Sequence, residues 1–368
     1  MKKGIILLFL LISCSLNEKK EYVLLISFDG FRSDYIDWYH TPNIDNFIKT
    51  GVRSEGLIPV FVSKTFPNHY SIATGMYIEN HGLIGNNFYD SKYDEIYSLK
   101  DRSKVENPKF YGGEPIWVTA KTQGINTASY FWIGSEAPIN GEYPDIWKRY
   151  DHNFPFESRI DSVVKWFTYP KTKRPQLSLL YFHEPDQTGH QSGPKSKETE
   201  TMVTHLDSLF GDLINKLKKL AIYPNLNIIA LSDHGMAEIN SERTIDLSKY
   251  INLENIKQEG SGPYCFLYNI NDNIENIMKS LKKVPNISVF QKKDIPDRFH
   301  FKNHYRIKDI LILADEGWYI YDQSISSHPS SKEKIILGGT HGYDNQLQSM
   351  KALFIANGPS FKKNIISK

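Results

Sequence analysis

Three short apolar runs set the frame for this chain: Tyr22–Phe28 (YVLLISF), Leu177–Phe182 (LSLLYF) and Leu226–Leu231 (LNIIAL). Apolar side chains on consecutive rather than alternate positions read as strands covered on both faces, the habit of parallel sheets. Between the last two runs, residues 197–220 place apolar side chains at Val203, Leu206, Leu209, Phe210, Leu213, Ile214, Leu217 and Leu220. This spacing makes one stripe along a helix, so a crossover helix packed on the sheet is predicted. A shorter helix is predicted over residues 43–49, after Thr41-Pro42 and closed by Gly51. The fold class that follows is α/β, a central and largely parallel sheet flanked by helices. Residues 249–334 are rich in Lys and Asn with weaker periodicity, and a smaller inserted subregion is expected there.

Composition narrows the function classes. With 44 Lys+Arg against 42 Asp+Glu the formal charge is only +2, which argues against a nucleic-acid binder working through bulk positive charge. No nucleic-acid-binding surface is expected, and no protein partner is inferred. At 40% hydrophobic residues over 368 positions the chain can bury a sizeable core, as one large domain or two ordinary ones. Its 2 cysteines exclude a disulfide-stapled scaffold and any zinc site built on several thiolates. A metal here must be held by histidine and carboxylate.

The first twenty residues stand apart. Met1-Lys2-Lys3 is a basic start and Gly4 to Ile12 an apolar run. That run is too short to span a membrane, which takes about 20 residues, and suits a signal peptide. Leu11-Ile12-Ser13-Cys14 resembles a bacterial lipobox; a plain secretory signal with a chance cysteine is the alternative. On the lipoprotein reading residues 1–13 are removed, Cys14 carries the lipid, residues 14–20 form a linker and residues 21–368 the folded domain. The expected location is then the bacterial cell envelope, periplasmic or at the cell surface, with the N-terminal lipid anchor as the membrane contact. No intramolecular disulfide is expected.

The chemistry-bearing residues fall at the strand ends. Asp29 follows the first run, Asp186 and His190 the second, Asp233 and His234 the third, and His341 sits in the loop Gly338-Gly339-Thr340-His341-Gly342. In an open α/β sheet ligands bind beyond the carboxyl ends of the strands, so these six can converge on one rim. Each alone has an ordinary reading, a helix cap for Asp or a satisfied ring for His. Together they point to a metal site, and the donor set fits Zn²⁺, with Mn²⁺ or Co²⁺ in competition.

Five blocks carry a family resemblance: Phe28-Asp29-Gly30-Phe31-Arg32, Lys64-Thr65-Phe66-Pro67-Asn68-His69, Glu184-Pro185-Asp186-Gln187-Thr188-Gly189-His190, Ser232-Asp233-His234-Gly235-Met236 and Gly339-Thr340-His341-Gly342. In order and spacing they resemble those of the ectonucleotide pyrophosphatase/phosphodiesterases, in the alkaline phosphatase superfamily. The resemblance runs from about Tyr22 to Phe361 and implies an alkaline phosphatase-like catalytic domain binding two Zn²⁺. By it Asp186, His190 and His341 hold one zinc, while Asp29, Asp233, His234 and the hydroxyl of Thr65 hold the other. Thr65 would be the nucleophile. A divalent cation lowers the pKa of a coordinated hydroxyl, so an in-line attack giving a phosphothreonine, later hydrolysed by water, needs no dedicated base. Thr65 before Phe66-Pro67 also reads as a plain helix N-cap, and a helix start itself favours anions.

Asn86 stands where the family has an amide donor to a phosphate oxygen, although Gly85-Asn86-Asn87 is also an ordinary turn. Phe66, Trp132 and Tyr150 resemble the family's base-stacking aromatics and Lys104 its base-contacting lysine; 13% aromatic content also supplies many core residues. The resemblance therefore implies hydrolysis of nucleotide phosphodiester or pyrophosphate bonds with release of nucleoside 5′-monophosphates. Lysophospholipid or choline phosphodiesters, phosphomonoesters, and a non-catalytic surface-binding lipoprotein are the alternatives. Family members usually continue beyond residues 352–359, so the C-terminal end is expected to be short.

Overall fold

The computed structural model describes residues 21–270, 274–321 and 338–367. The expected signal peptide, Cys14 and its linker lie outside the described residues. Among the described residues, no helix is long and apolar enough to cross a membrane.

The three apolar runs are strands with the predicted bounds, and they are neighbours. Tyr22–Phe28 lies between the other two and runs parallel to both. Thr127–Tyr130 and Ile146–Lys148 extend the parallel part beyond Leu177–Phe182. On the other side Phe354–Asn357 is antiparallel to Leu226–Leu231, and Val52–Ser54 and Ile365–Ser367 complete an eight-stranded sheet. The consecutive apolar pattern has a direct cause. Leu24, Ile26 and Phe28 enter one hydrophobic cluster while Val23 and Leu25 pack against another, so the sheet is covered on both faces.

The predicted crossover helix spans Lys197–Lys218, with the Ser196 hydroxyl accepting from the Thr199 amide at its start. Its Val203, Leu206, Phe210 and Leu213 pack on the face that carries Leu24 and Ile26. The predicted short helix spans Pro42–Ile48 and is pinned to the long one by Asp207, which accepts hydrogen bonds from the Asn43 and Ile44 amides at 3.2 and 2.8 Å. On the opposite face lies the helix Thr65–Thr74, closed by Gly75 in the left-handed conformation. Within residues 249–334, the strands Lys257–Glu259, Tyr264–Tyr268, Ile310–Ala314 and Ile287–Gln291 form a separate antiparallel sheet in that order.

Register positions the site. Phe28 pairs with Phe182 and Ser27 with Leu231, so the three central strands end level with one another. Their carboxyl ends therefore deliver Asp29, the segment 183–186 and Ser232-Asp233 to one rim.

Candidate active site

Three histidines on this rim are oriented from behind. Nδ1 of His190 donates to the Gly339 carbonyl at 2.7 Å, Nδ1 of His341 to the Ser63 carbonyl at 2.7 Å, and Nδ1 of His234 to the Gly235 carbonyl at 2.8 Å. A carbonyl can only accept, so each Nδ1 carries a proton and, in the neutral ring, each Nε2 presents a lone pair. Those lone pairs face carboxylate oxygens. Asp186 Oδ1 is 3.5 Å from Nε2 of both His190 and His341. His234 Nε2 is 3.4 Å from Asp29 Oδ1 and 3.0 Å from Asp233 Oδ2.

The same three oxygens, Asp29 Oδ1, Asp186 Oδ1 and Asp233 Oδ2, are buried without a hydrogen-bond partner. Buried acceptors aimed at other acceptors are costly unless a cation lies between them. Histidines held through Nδ1 by carbonyls are the usual outer support of a metal site. The donor set therefore fits metal cations.

Donor atoms of Asp186, His190 and His341 lie within 4.8 Å of one another, matching the first expected set. The second expected set is distributed differently: Asp29 and His234 converge with Asp186, and Asp29 and Asp233 converge with His69. Asp186 thus stands between the two groups. Sequence reasoning passed over His69, but both its ring nitrogens have protein partners, the Thr65 carbonyl at 2.9 Å and Ser27 Oγ at 2.8 Å. It positions Asp233, 3.3 Å away, and the start of the Thr65 helix. Gly30, at φ +68°, allows the close approach of Asp186, whose Cα would lie 2.8 Å from a Cβ at that position.

Crowded carboxylates and rings perturb one another. Burial, then Asp233 and Asp186, push the Asp29 carboxyl well above its usual range. Burial opposes ionisation of Asp233 too, but His234 and His69 outweigh it and hold its carboxyl well below. Burial, then His234, Lys64 and His190, push the His341 ring well below the usual imidazole range. Burial and the nearby Asp29 keep Tyr181 protonated, and its hydroxyl donates to Asp29 Oδ2 at 2.6 Å.

Thr65 is the first residue of its helix, with Oγ1 3.3 Å from His234 Nε2. It opens onto a cavity of about 300 Å³ that the metal-type residues Asp29, Asp186, His190 and His341 also line. Phe66, Asn86 and Tyr150 are on its walls, as the resemblance implies. The Asn86 Oδ1 accepts from the Phe66 amide at 2.9 Å, which commits the oxygen and leaves the amide NH₂ as the donor available to a ligand.

Two expected pocket residues are elsewhere. Trp132 is fully buried and its indole N–H donates to the His69 carbonyl at 3.1 Å, so it is a core residue behind the helix rather than a stacking surface. Lys104 turns from the cavity to pair with Glu95 at 2.5 Å. The cavity wall near it instead carries Arg102, paired with Glu136, whose other oxygen accepts from the Tyr150 amide at 3.0 Å. His152 and His183, whose rings stack at 4.0 Å, complete that wall. Burial, then His152 and Arg159, push the His183 ring down to about 3, so it is neutral at physiological pH. Nothing in the local sequence distinguishes Arg102 from Lys104; the direction of each side chain is a tertiary matter.

A parallel sheet whose strand ends bring carboxylates, histidines and a helix-start hydroxyl to one rim is the arrangement of the alkaline phosphatase superfamily. Within it, the chain belongs to the type I phosphodiesterase / nucleotide pyrophosphatase family, whose profile matches residues 23–344. It is 40% identical over 352 residues to a venom phosphodiesterase of Naja atra, covering 93% of this chain and 41% of that protein. It is 35% identical to human ectonucleotide pyrophosphatase/phosphodiesterase family member 5, covering 95% of this chain and 72% of the relative. The chain thus spans about two fifths of the length of the venom relative. The solved structure of murine member 5 superposes with a TM-score of 0.87 at 34% identity, covering 95% of this chain and 91% of that one. An inactive variant of the murine protein has been solved in complex with AMP.

Proposed function

We propose that this chain hydrolyses nucleotide phosphodiester and pyrophosphate bonds and releases nucleoside 5′-monophosphates. The observation that carries the reading is the Thr65 hydroxyl, 3.3 Å from His234 Nε2, at the floor of a cavity with aromatic walls. The AMP complex of the murine relative supports a nucleotide as the ligand. Asp186, His190 and His341 would hold one Zn²⁺ and Asp29, Asp233, His234 and Thr65 a second, with Mn²⁺ or Co²⁺ as competitors. The chemistry such cations supply is easier ionisation of an oxygen nucleophile and stabilisation of charge on the apical oxygens.

The chain's own groups do the rest. Thr65 Oγ1 gives its proton to solvent and forms a bond to phosphorus as the bond to the leaving oxygen breaks, and that oxygen departs with the electron pair and takes up a proton from solvent. Water then attacks phosphorus, breaks the phosphothreonine ester and restores the hydroxyl. The Asn86 amide donates to a non-bridging oxygen as charge grows there. Phe66 and Tyr150 stack the base, and the apolar side chains of Leu99, Val105 and Ile133 complete its slot. Lipidation at Cys14, with a cell-envelope location, is part of the same proposal and is supported by the sequence Leu11-Ile12-Ser13-Cys14 alone.

The test is hydrolysis of the nitrophenyl ester of thymidine 5′-monophosphate, with a nitrophenyl monoester and a choline phosphodiester beside it. Turnover of the nucleotide ester, lost on chelation and in Thr65→Ala, is expected. Activity surviving both treatments, or a preference for either comparison substrate, would overturn the reading.

A further inference from the structure

Arg159 is fully buried, yet it makes no contact ion pair among the described residues. A buried charge is costly unless it is paired or well hydrogen-bonded, and an apolar side chain of similar volume often packs at least as well. What a guanidinium supplies and an apolar chain does not is a rigid planar fork that holds several acceptors at once. Here the acceptors are backbone carbonyls from two segments. Nη1 donates to the Tyr181 carbonyl at 3.0 Å, while Nε and Nη2 donate to the Phe154 carbonyl at 3.2 and 3.0 Å. The first carbonyl belongs to the end of the strand Leu177–Phe182, where the Tyr181 hydroxyl also reaches Asp29. The second belongs to the loop that carries Tyr150 and His152 on the cavity wall. Arg159 itself, in the first turn of the helix Phe156–Trp166, does not line the cavity.

A separate contact leads to the same wall. The Arg159 guanidinium lies over the Phe131 ring, 4.9 Å from its centroid. The Tyr150 ring meets Phe131 nearly at right angles, with centroids 5.1 Å apart and planes 72° to each other. Phe131 thus touches both the buried cation and the aromatic side chain that faces the cavity. Its backbone is at φ +69°, a left-handed conformation that bulky residues rarely adopt. Strain of this kind persists only where surrounding contacts over-determine it, and it clusters at ligand-binding sites. One side chain therefore supports the wall twice, through the loop carbonyl and through the Phe131 face. At its far end the Tyr150 hydroxyl lies 3.0 Å from His152 Nδ1, which leaves the ring little freedom to tilt.

We propose that Arg159 is a positioning residue for the substrate: by joining the Phe154 carbonyl to the Tyr181 carbonyl and backing Phe131, it sets the distance and tilt of the Tyr150 ring relative to the rim that holds Asp29 and Thr65. The inference rests on the hydrolytic reading above and deepens it, because the fit between base and reacting phosphorus is assigned to a group that touches neither. A substrate without a base does not use that fit.

The experiment measures steady-state kinetics of the metal-loaded chain as wild type, Arg159→Met, Arg159→Lys, Tyr150→Ala and the double variant Arg159→Met with Tyr150→Ala. The substrates are the nitrophenyl ester of thymidine 5′-monophosphate and bis(nitrophenyl) phosphate. In both single Arg159 variants KM for the nucleotide ester should rise roughly three- to tenfold, up to the effect of losing one base–aromatic stack. Its kcat, and both constants for bis(nitrophenyl) phosphate, should stay within about twofold of wild type. Lysine keeps the charge but cannot bridge the two carbonyls, so it should not restore KM. Once Tyr150 is alanine, Arg159→Met should change KM by less than about twofold, since the ring it positions is already gone. Turnover of bis(nitrophenyl) phosphate also reports on folding of each variant, and Arg159→Lys carries the test if Arg159→Met does not fold. An unchanged KM, an equal loss on both substrates, full rescue by lysine, or additive effects in the double variant would overturn the inference while leaving the hydrolytic reading intact. A wild-type chain inert towards the nucleotide ester would overturn that reading instead.

Discussion

Thr65 Oγ1 lies 3.3 Å from Nε2 of His234, a residue 169 positions later in the chain. Two loops from different parts of the sheet thus deliver a hydroxyl and an imidazole lone pair to the same point, and the hydroxyl sits where a helix begins. Thr65→Ala should lower kcat on a nucleotide ester by roughly a thousandfold or more, since the nucleophile itself is gone. AMP binding, measured by calorimetry, should persist. A variant that loses binding in step with turnover would place Thr65 in ligand binding rather than attack.

The rim is a cluster of acceptors, so a cation should hold it together. Stripping metal with a chelator is expected to lower the thermal midpoint as well as abolish hydrolysis, and added Zn²⁺ should restore both. His69→Phe removes a ring that touches Asp233, Ser27 and the Thr65 carbonyl without supplying a free lone pair. Supporting residues of this kind tune metal affinity by about 10- to 100-fold, which competition with a fluorescent chelator would measure. Unaltered affinity would show that Asp233 needs no such support.

Tyr150 and Trp132 should separate cleanly. Tyr150→Ala opens the cavity wall and is expected to raise KM for a nucleotide ester about tenfold, and to change KM for a small bis-aryl phosphate much less. Trp132→Ala empties a core position and should cost about 3–5 kcal/mol of stability. Chemical denaturation and steady-state kinetics on both variants test the pair. A specific KM effect from Trp132→Ala would return it to the pocket.

Lys104→Ala should do little. Its ammonium is spent on Glu95 across a partly exposed surface, and pairs of that kind are worth about 0–1 kcal/mol. Arg102→Ala, by contrast, frees Glu136 beside the Tyr150 amide and is expected to raise KM for nucleotide esters several-fold. The reverse ranking of the two variants would reinstate Lys104 as the base contact.

Acid should weaken the fold through His81. Its Nδ1 accepts from the Leu83 amide and its Nε2 donates to Ser71 Oγ, so the buried ring is neutral. Burial, then His304 and Arg306, push it down to about 3. An imidazole in the unfolded chain titrates near 6.5, so there the unfolded state binds the proton first. The stabilisation is complete above pH 6.5 and falls as pH drops towards the folded value, by up to about 1.4 kcal/mol per pH unit. His81→Gln should flatten this limb in urea melts run from pH 7 to pH 4; an unchanged slope would place the acid sensitivity elsewhere.

Much of this architecture was legible in the chain. Strand limits at Tyr22, Phe28, Leu177, Phe182, Leu226 and Leu231 follow from local burial patterns, and the stripe from Val203 to Leu217 announces its helix. Level strand ends then bring Asp29, Asp186, Asp233, His190 and His234 together almost automatically, because parallel neighbours in register finish on one edge. Position along the backbone was enough for those residues. It was not enough for Trp132, Lys104, Arg102 or His69. Which way an indole points, which of two cations two residues apart meets a glutamate, and which imidazole has a lone pair to spare depend on partners distant in sequence. Local pattern in the chain sets where the strands end and which donors arrive at the rim. Which side chains face the cavity and which are spent on the core is set by packing and hydrogen bonding between segments that local periodicity does not relate.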